Sequence, residues 1–165
     1  MPSPALTPLA AAVLLVEPKP ERILEIGCGE GDGVLFLARE FPVARVRGVD
    51  ASEDRVRAAT ARVGLDPEGR VAFKPAQPGS LPFPDGFFDL VVQSDGRPSP
   101  GEIVRVLRPG GQLVLASSGP GEVAGRLLRW RLGRRGIALA ESVAAGDGSF
   151  SVGRLRAGER APADE

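Results

Sequence analysis

The 165-residue sequence has no histidine, no tyrosine, one cysteine, one methionine and one tryptophan. Cys28 alone excludes an internal disulfide framework, and with no histidine beside it a zinc site has no ligand set. The same absence removes Ser-His-Asp and Cys-His nucleophile systems. Long hydrophobic runs are missing too. The longest, Leu9–Val16, is far shorter than the roughly 20 residues a membrane span requires. No basic residue precedes it, so it reads as an amphipathic first helix of a soluble, cytoplasmic protein and not as a span or signal peptide. Lysine is scarce, with Lys19 and Lys74 the two among 21 basic residues, and the abundance of Ala, Gly, Pro and Arg marks a GC-rich coding bias. What chemistry remains must come from carboxylates, a bound cofactor or positioning.

What is present is ordinary for a globular chain: 42% hydrophobic residues, 25% charged, and 21 basic against 21 acidic side chains. The length predicts a single domain over residues 1–158, with the apolar-poor ERAPADE of 159–165 as a disordered tail. The zero net charge conceals an asymmetry, since residues 1–100 carry 11 basic and 14 acidic side chains and residues 101–165 carry 10 and 7.

Short apolar runs alternate with helical patterns, the sequence form of βαβ units and a mainly parallel sheet. Strands are predicted at Arg22–Ile26, Val43–Asp50, Val71–Lys74, Phe88–Val92 and Leu113–Ala116. Helices are predicted at Val34–Phe41, from an N-cap at Ser52 to about Gly64, at Glu102–Leu107, and from about Gly121 to Leu132. Residues 137–142 and 150–156, around Gly146-Asp147-Gly148, read as an antiparallel hairpin.

The informative stretch is Glu25-Ile26-Gly27-Cys28-Gly29-Glu30-Gly31, between the first strand and its helix. Alternate glycines let a backbone turn tightly and approach a ligand, and the following helix start offers unpaired N–H groups. Asp50, ending the second strand, is placed to accept both hydroxyls of a ribose. A nicotinamide fingerprint starting at Gly27 requires glycine where Asp32 stands, and one starting at Gly29 requires it at Val34. A carboxylate two residues before the first glycine suits a cationic ligand better than a pyrophosphate.

With LEIGCGEG, GVDAS, LPFPDGFFDLVV and EIVRVLRPGGQLVLAS in that order over residues 22–118, the chain resembles the class I S-adenosylmethionine-dependent methyltransferases, closest to those acting on small molecules and lipids. The resemblance implies a three-layer Rossmann-like α/β sandwich with a seven-stranded, mainly parallel sheet and an antiparallel last strand. It implies S-adenosylmethionine as cofactor, S-adenosylhomocysteine as product, and methyl transfer to an unidentified acceptor. By position, Glu25, Gly27, Cys28, Gly29 and Gly31 would line the methionine end, Asp50 the ribose, and Ala51 and Gln77 the adenine. Gln77 stands where the family usually has Asp. Gln93 and Ser94 would face the reacting methyl. Asp95, or failing it Glu102, would be the ionisable group nearest the opening, with Asp95 the better candidate for a catalytic base.

Other features have plainer readings. Asp85 and Asp89 are turn formers, and Cys28 is a small neutral filler within the loop. Trp130 among Arg126, Arg129, Arg131, Arg134 and Arg135 sits on a helix with an apolar stripe, so a solvated basic face is favoured over a nucleic-acid contact. Residues 95–101, DGRPSPG, will not form the helix that commonly walls the family's pocket. A shallow, open pocket follows, serving a bulky acceptor, closed by a second copy or partner subunit, or belonging to a non-catalytic cofactor-binding scaffold.

Overall fold

A computed structural model describes residues 6–158; the tail predicted for 159–165 lies outside the described residues. In chain order the elements are α1 (Pro8–Val13), β1 (Arg22–Ile26), α2 (Asp32–Glu40), β2 (Arg45–Asp50), α3 (Glu53–Val63), β3 (Val71–Pro75) and β4 (Phe88–Ser94). There follow α4 (Pro100–Val106), β5 (Leu107–Ser117), α5 (Arg126–Arg134), β6 (Ile137–Leu139), β7 (Val143–Ala145) and β8 (Gly148–Leu155). The strands form one sheet in the order β3-β2-β1-β4-β5-β8-β6, with β7 paired to the start of β8. Strands β1 to β5 pair in parallel, and β8 runs antiparallel between β5 and β6. The sheet is the Rossmann-like one expected, with one strand beyond the predicted seven. The extra strand, β7, is three residues long and arises because Gly146-Asp147 turns Val143–Ala145 back onto β8.

Continuous apolar sequence in β1, β4 and β5 is explained by burial on both faces. On one face Ile23, Leu90, Val92 and Val114 pack with α2 through Val34 and Leu37, and with α1 through Ala12 and Val13. On the other, Leu24, Val91, Leu113 and Leu115 pack with Ile103 and Val106 of α4 and Leu132 of α5. Leu81, Phe83 and Phe87 from the Pro/Gly-rich segment before β4 join this second face in place of a helix.

Helix ends follow local chemistry. Ser52 caps α3, its hydroxyl accepting from the Arg55 amide, with Glu53 and Asp54 in the first turn. Most element ends shift by one to three residues from the sequence reading, and two starts shift further. Helix α5 begins at Arg126 and not near Gly121, because Gly121 adopts φ 106° and Gly125 remains extended as the N-cap. Strand β5 begins at Leu107, since Leu107 already pairs with Phe88 across an irregularity before the regular register of Leu90 with Gln112. Of the predicted break at 95–101, residues 95–99 form no helix, but Pro100 and Gly101 open α4, because proline is tolerated in a helix's first turn where its missing N–H has no partner to lose.

Candidate functional site

The C-terminal ends of β1, β2 and β4 meet where the glycine loop leaves the sheet. Gly27 and Cys28 both donate their amides to the Val49 carbonyl, at 2.8 and 2.9 Å, and the chain then turns through Gly27, Gly29 and Gly31 at positive φ. The three glycines do different work. A Cβ on Gly29 would meet nothing within 4 Å, and one on Gly27 would come no nearer than the Ser94 carbonyl at 4.0 Å. At Gly31 it would strike the Phe73 ring at 2.9 Å and Ala59 at 3.3 Å. Gly27 and Gly29 therefore present bare backbone at the sheet edge. Gly31 instead makes room for a ring beneath the loop, which the spacing of glycines alone does not disclose.

Asp50 joins the loop to the next strand. Its Oδ2 accepts from the Gly29 amide at 2.9 Å, its Oδ1 accepts from the Ser52 amide at 2.9 Å, and its carbonyl accepts from the Ala76 amide at 2.9 Å. Those bonds fix Ala51 and Ser52 beside the carboxylate and Ala76 at the end of β2, after which the exposed Gln77 bridges to Ser80. From the far side Arg62 of α3 reaches the Glu30 carbonyl at 2.9 Å and Asp32 at 2.7 Å, a loop contact that a sequence separation of some thirty residues hides.

Residues 23–111, more than half of the chain, match the family described as Methyltransferase domain. The chain belongs to the class I S-adenosylmethionine-dependent methyltransferase family. It is 38% identical over 118 residues to a demethylmenaquinone methyltransferase of Thermus thermophilus, an alignment covering 67% of this chain and 53% of that one. The chain spans about half the length, or less, of the curated relatives it matches. Among solved structures, a SAM-dependent methyltransferase from Aquifex aeolicus superposes with a TM-score of 0.74 at 19% identity, covering 90% of this chain and 89% of that one. A Haloferax volcanii methyltransferase in complex with the Trm112 methyltransferase activator gives the same TM-score, identity and coverages. These likenesses at low identity carry the fold.

The residues present fit the methyltransferase cofactor. Among the described residues three buried side-chain polar atoms have no hydrogen-bond partner, Arg70 Nε and, at this end of the sheet, Glu25 Oε2 and Gln93 Oε1, whose residues are only 3% exposed. Glu25 and Gln93 lie on opposite faces of the sheet. The Glu25 carboxyl rests against Gly33 in the first turn of α2, so close that a Cβ there would stand 2.4 Å from either oxygen. Burial, and secondarily the Asp32 charge, pushes its pKa up to about 8. Gln93 instead looks into a cavity of about 110 Å³ shared with Asp95, Pro98, Leu115, Ala116 and Val123. A larger depression of about 310 Å³, lined by Glu21, Arg22, Val43 and Arg45, lies at the opposite end of the strands.

The Cys28 thiol joins the core with Val34, Leu90 and Val92. Burial and the nearby Glu25 and Asp50 charges push its pKa up to about 12, so it contributes backbone to the loop and no nucleophile. Asp95 follows β4 at φ 59° with its carboxylate tied to Ser118, Oδ1 accepting from the amide at 3.0 Å and Oδ2 from the hydroxyl at 2.9 Å. Glu102 holds Arg105 with both oxygens and also accepts from the Leu81 amide at 2.7 Å. The Arg105 hydrogen bond keeps its carboxyl below the usual range, which removes it as a base. Asp85 pairs with Arg105, while Asp89 receives the Glu21 and Arg22 amides at the start of β1, both structural roles. Among the described residues no cluster of three or more metal-ligating side chains occurs, and no helix is long and apolar enough to cross a membrane.

Proposed function

We propose that this chain binds S-adenosylmethionine against the glycine loop and transfers its methyl group to an acceptor entering beside Gln93. The observation that carries the reading is the loop itself: bare backbone at Gly27 and Gly29, held to the ribose-type carboxylate of Asp50 by the Gly29 amide. In this reading Asp50 and Gln77 bind the nucleoside, and Glu25, Gly27, Gly29 and the Ser94 carbonyl surround the methionine end. Gly31 and Cys28 support the loop from below.

Bound there, the cofactor supplies a methyl on a sulfonium that departs as a neutral thioether, so the work left to the protein is alignment. Gln93 Oε1 offers a buried acceptor for an O–H or N–H on the incoming group. Leu115, Ala116 and Val123 exclude water from that side. An acceptor that arrives as a thiolate, carboxylate or neutral amine needs no base. One that must lose a proton has Asp95 as its nearest carboxylate.

A second reading, a cofactor-binding subunit that partners another enzyme, draws on the small cavity and on the commitment of Asp95 to Ser118. The Haloferax volcanii methyltransferase bound to an activator is a precedent for partnership in this fold. Calorimetric titration with S-adenosylmethionine, S-adenosylhomocysteine and NAD tests the cofactor claim. Micromolar binding of the first two and none of NAD is expected, and no heat with either adenosyl ligand overturns it. Release of S-adenosylhomocysteine with an acceptor panel then separates enzyme from scaffold.

A further inference from the structure

Helix α5 buries Leu132 in the core and packs Leu128 against it, yet its outer face also carries large apolar side chains. Leu127 is 58% exposed and Trp130 56% exposed. At about 100° per residue, Arg126, Trp130, Arg134, Leu127 and Arg131 fall within an arc of about 140°, with the apolar pair central and arginines on both margins. The Arg134 guanidinium lies 5.2 Å from the Trp130 ring centroid. Arg126, Arg131 and Arg134 form no ion pair among the described residues, and the acids between residues 119 and 142 are Glu122 and Glu141 alone. Arg129 differs from these three, because it turns inward to the carbonyls of Ala124 and Ala140 and the hydroxyls of Ser142 and Ser151.

Among the described residues, three cations, an indole and a leucine therefore share one face with no side chain paired to or packed over them. We propose that the outer face of α5 docks on an anionic lipid bilayer, Arg126, Arg131 and Arg134 pairing with headgroup phosphates while Trp130 and Leu127 enter the interface. An indole with an apolar body and one N–H is suited to that boundary, and arginines flanking it add electrostatic attraction to anionic lipid. The exposed apolar pair Leu127 and Trp130 sets this face apart from the continuous basic stripe that is the footprint of nucleic-acid binding. A leucine at the centre of the patch has no part in phosphate recognition either. Val123, which lines the Gln93 cavity, precedes Arg126 by three residues, so the start of α5 lies within about 10 Å of the cavity wall. The docking claim rests on the helix face and is independent of methyl transfer.

Trp130 is the sole tryptophan and there is no tyrosine, so its emission reports on this face without background. The full chain is mixed with vesicles of phosphatidylcholine, alone or with about 30% phosphatidylglycerol, and followed by Trp130 emission and co-sedimentation. A blue shift and co-sedimentation with the anionic vesicles only, reversed by about 0.5 M salt, is expected. Combined Arg126→Gln, Arg131→Gln and Arg134→Gln should lower partitioning roughly 100-fold, at about fivefold per arginine. Unchanged circular dichroism and unchanged S-adenosylhomocysteine affinity establish that this variant folds, and Leu127→Ser should weaken binding independently. Absence of binding to anionic vesicles overturns the proposal, as does equal binding by the triple variant. A blue shift produced by an RNA oligomer or by raised protein concentration, with none from vesicles, assigns the face to those occupants and also overturns it.

Discussion

The Gly29 amide donates to Asp50 Oδ2 at 2.9 Å, which makes the tip of the glycine loop and the end of β2 one mechanical unit. The other carboxylate oxygen receives the Ser52 amide, so the same side chain fixes the approach to α3. Asp50→Ala removes the acceptor of both amides together with the charge a ribose would meet. Affinity for S-adenosylmethionine and S-adenosylhomocysteine should fall by roughly 1.5–3 kcal/mol, the usual size for charge-assisted hydrogen bonds. Calorimetry reads the change, and an unaltered affinity would put the ribose elsewhere.

Phe73 is wedged between two glycines. A Cβ on Gly48 would stand 2.7 Å from its ring and 2.8 Å from Val34, as one on Gly31 would stand 2.9 Å from the same ring. Gly48 has no positive φ, so Gly48→Ala isolates the steric term. Overpacking of this kind costs typically about 1–3 kcal/mol. The variant should melt lower, and Phe73→Leu in the same chain should recover part of the loss. Strict additivity of the two substitutions in denaturant titrations would contradict the wedge.

The strands were legible in the sequence because burial on both faces leaves continuous apolar runs such as Leu90-Val91-Val92, and the Ser52 cap because its partner is three residues away. The glycine loop and Asp50 were legible as candidates for the same reason of local pattern. What stayed hidden was set across the sheet. Phe73 decides why Gly31 is glycine, Ser118 occupies Asp95, and the Leu81 amide occupies Glu102. No periodicity records such pairings. Gly33 left a faint signal as a fourth glycine in the loop region, but its reason, the Glu25 carboxyl lying over it, needs the fold.

Glu25 gives stability a pH dependence of definite sign. Its pKa is about 8 in the folded chain against about 4.5 unfolded, so between those values the folded chain retains a proton that the unfolded chain has released. Stability must then fall as pH rises through that window. Glu25→Gln keeps the shape and removes the titration. The melting temperature of the variant minus that of the parent should grow more positive from pH 5 to pH 8, and a flat difference would mean that the carboxyl is solvated or paired.

Asp95 is the carboxylate best placed beside the Gln93 cavity, but its surroundings argue that it holds a turn. Both its oxygens receive Ser118, its amide donates to the Ala116 carbonyl at 2.9 Å, and its φ of 59° is one that Asp and Asn tolerate through their short polar side chains. A base must release its own contacts to reach a substrate proton, and here that means undoing the junction between the ends of β4 and β5. Asn at this position keeps an oxygen for the Ser118 amide and tolerates the same φ, while it cannot take up a proton in the working range. Asp95→Asn should therefore preserve the pH profile of methyl transfer, with kcat/KM within a few fold of the parent. Asp95→Ala should lower the melting temperature by releasing Ser118, which separates a turn-holding role from a chemical one. A general base typically contributes 10²–10⁴-fold. A loss of that size in Asp95→Asn, with the acid limb of the profile gone and the melting temperature retained, would make Asp95 catalytic. The preserved profile leaves an acceptor that enters already nucleophilic, with Gln93 and the cavity wall aligning it.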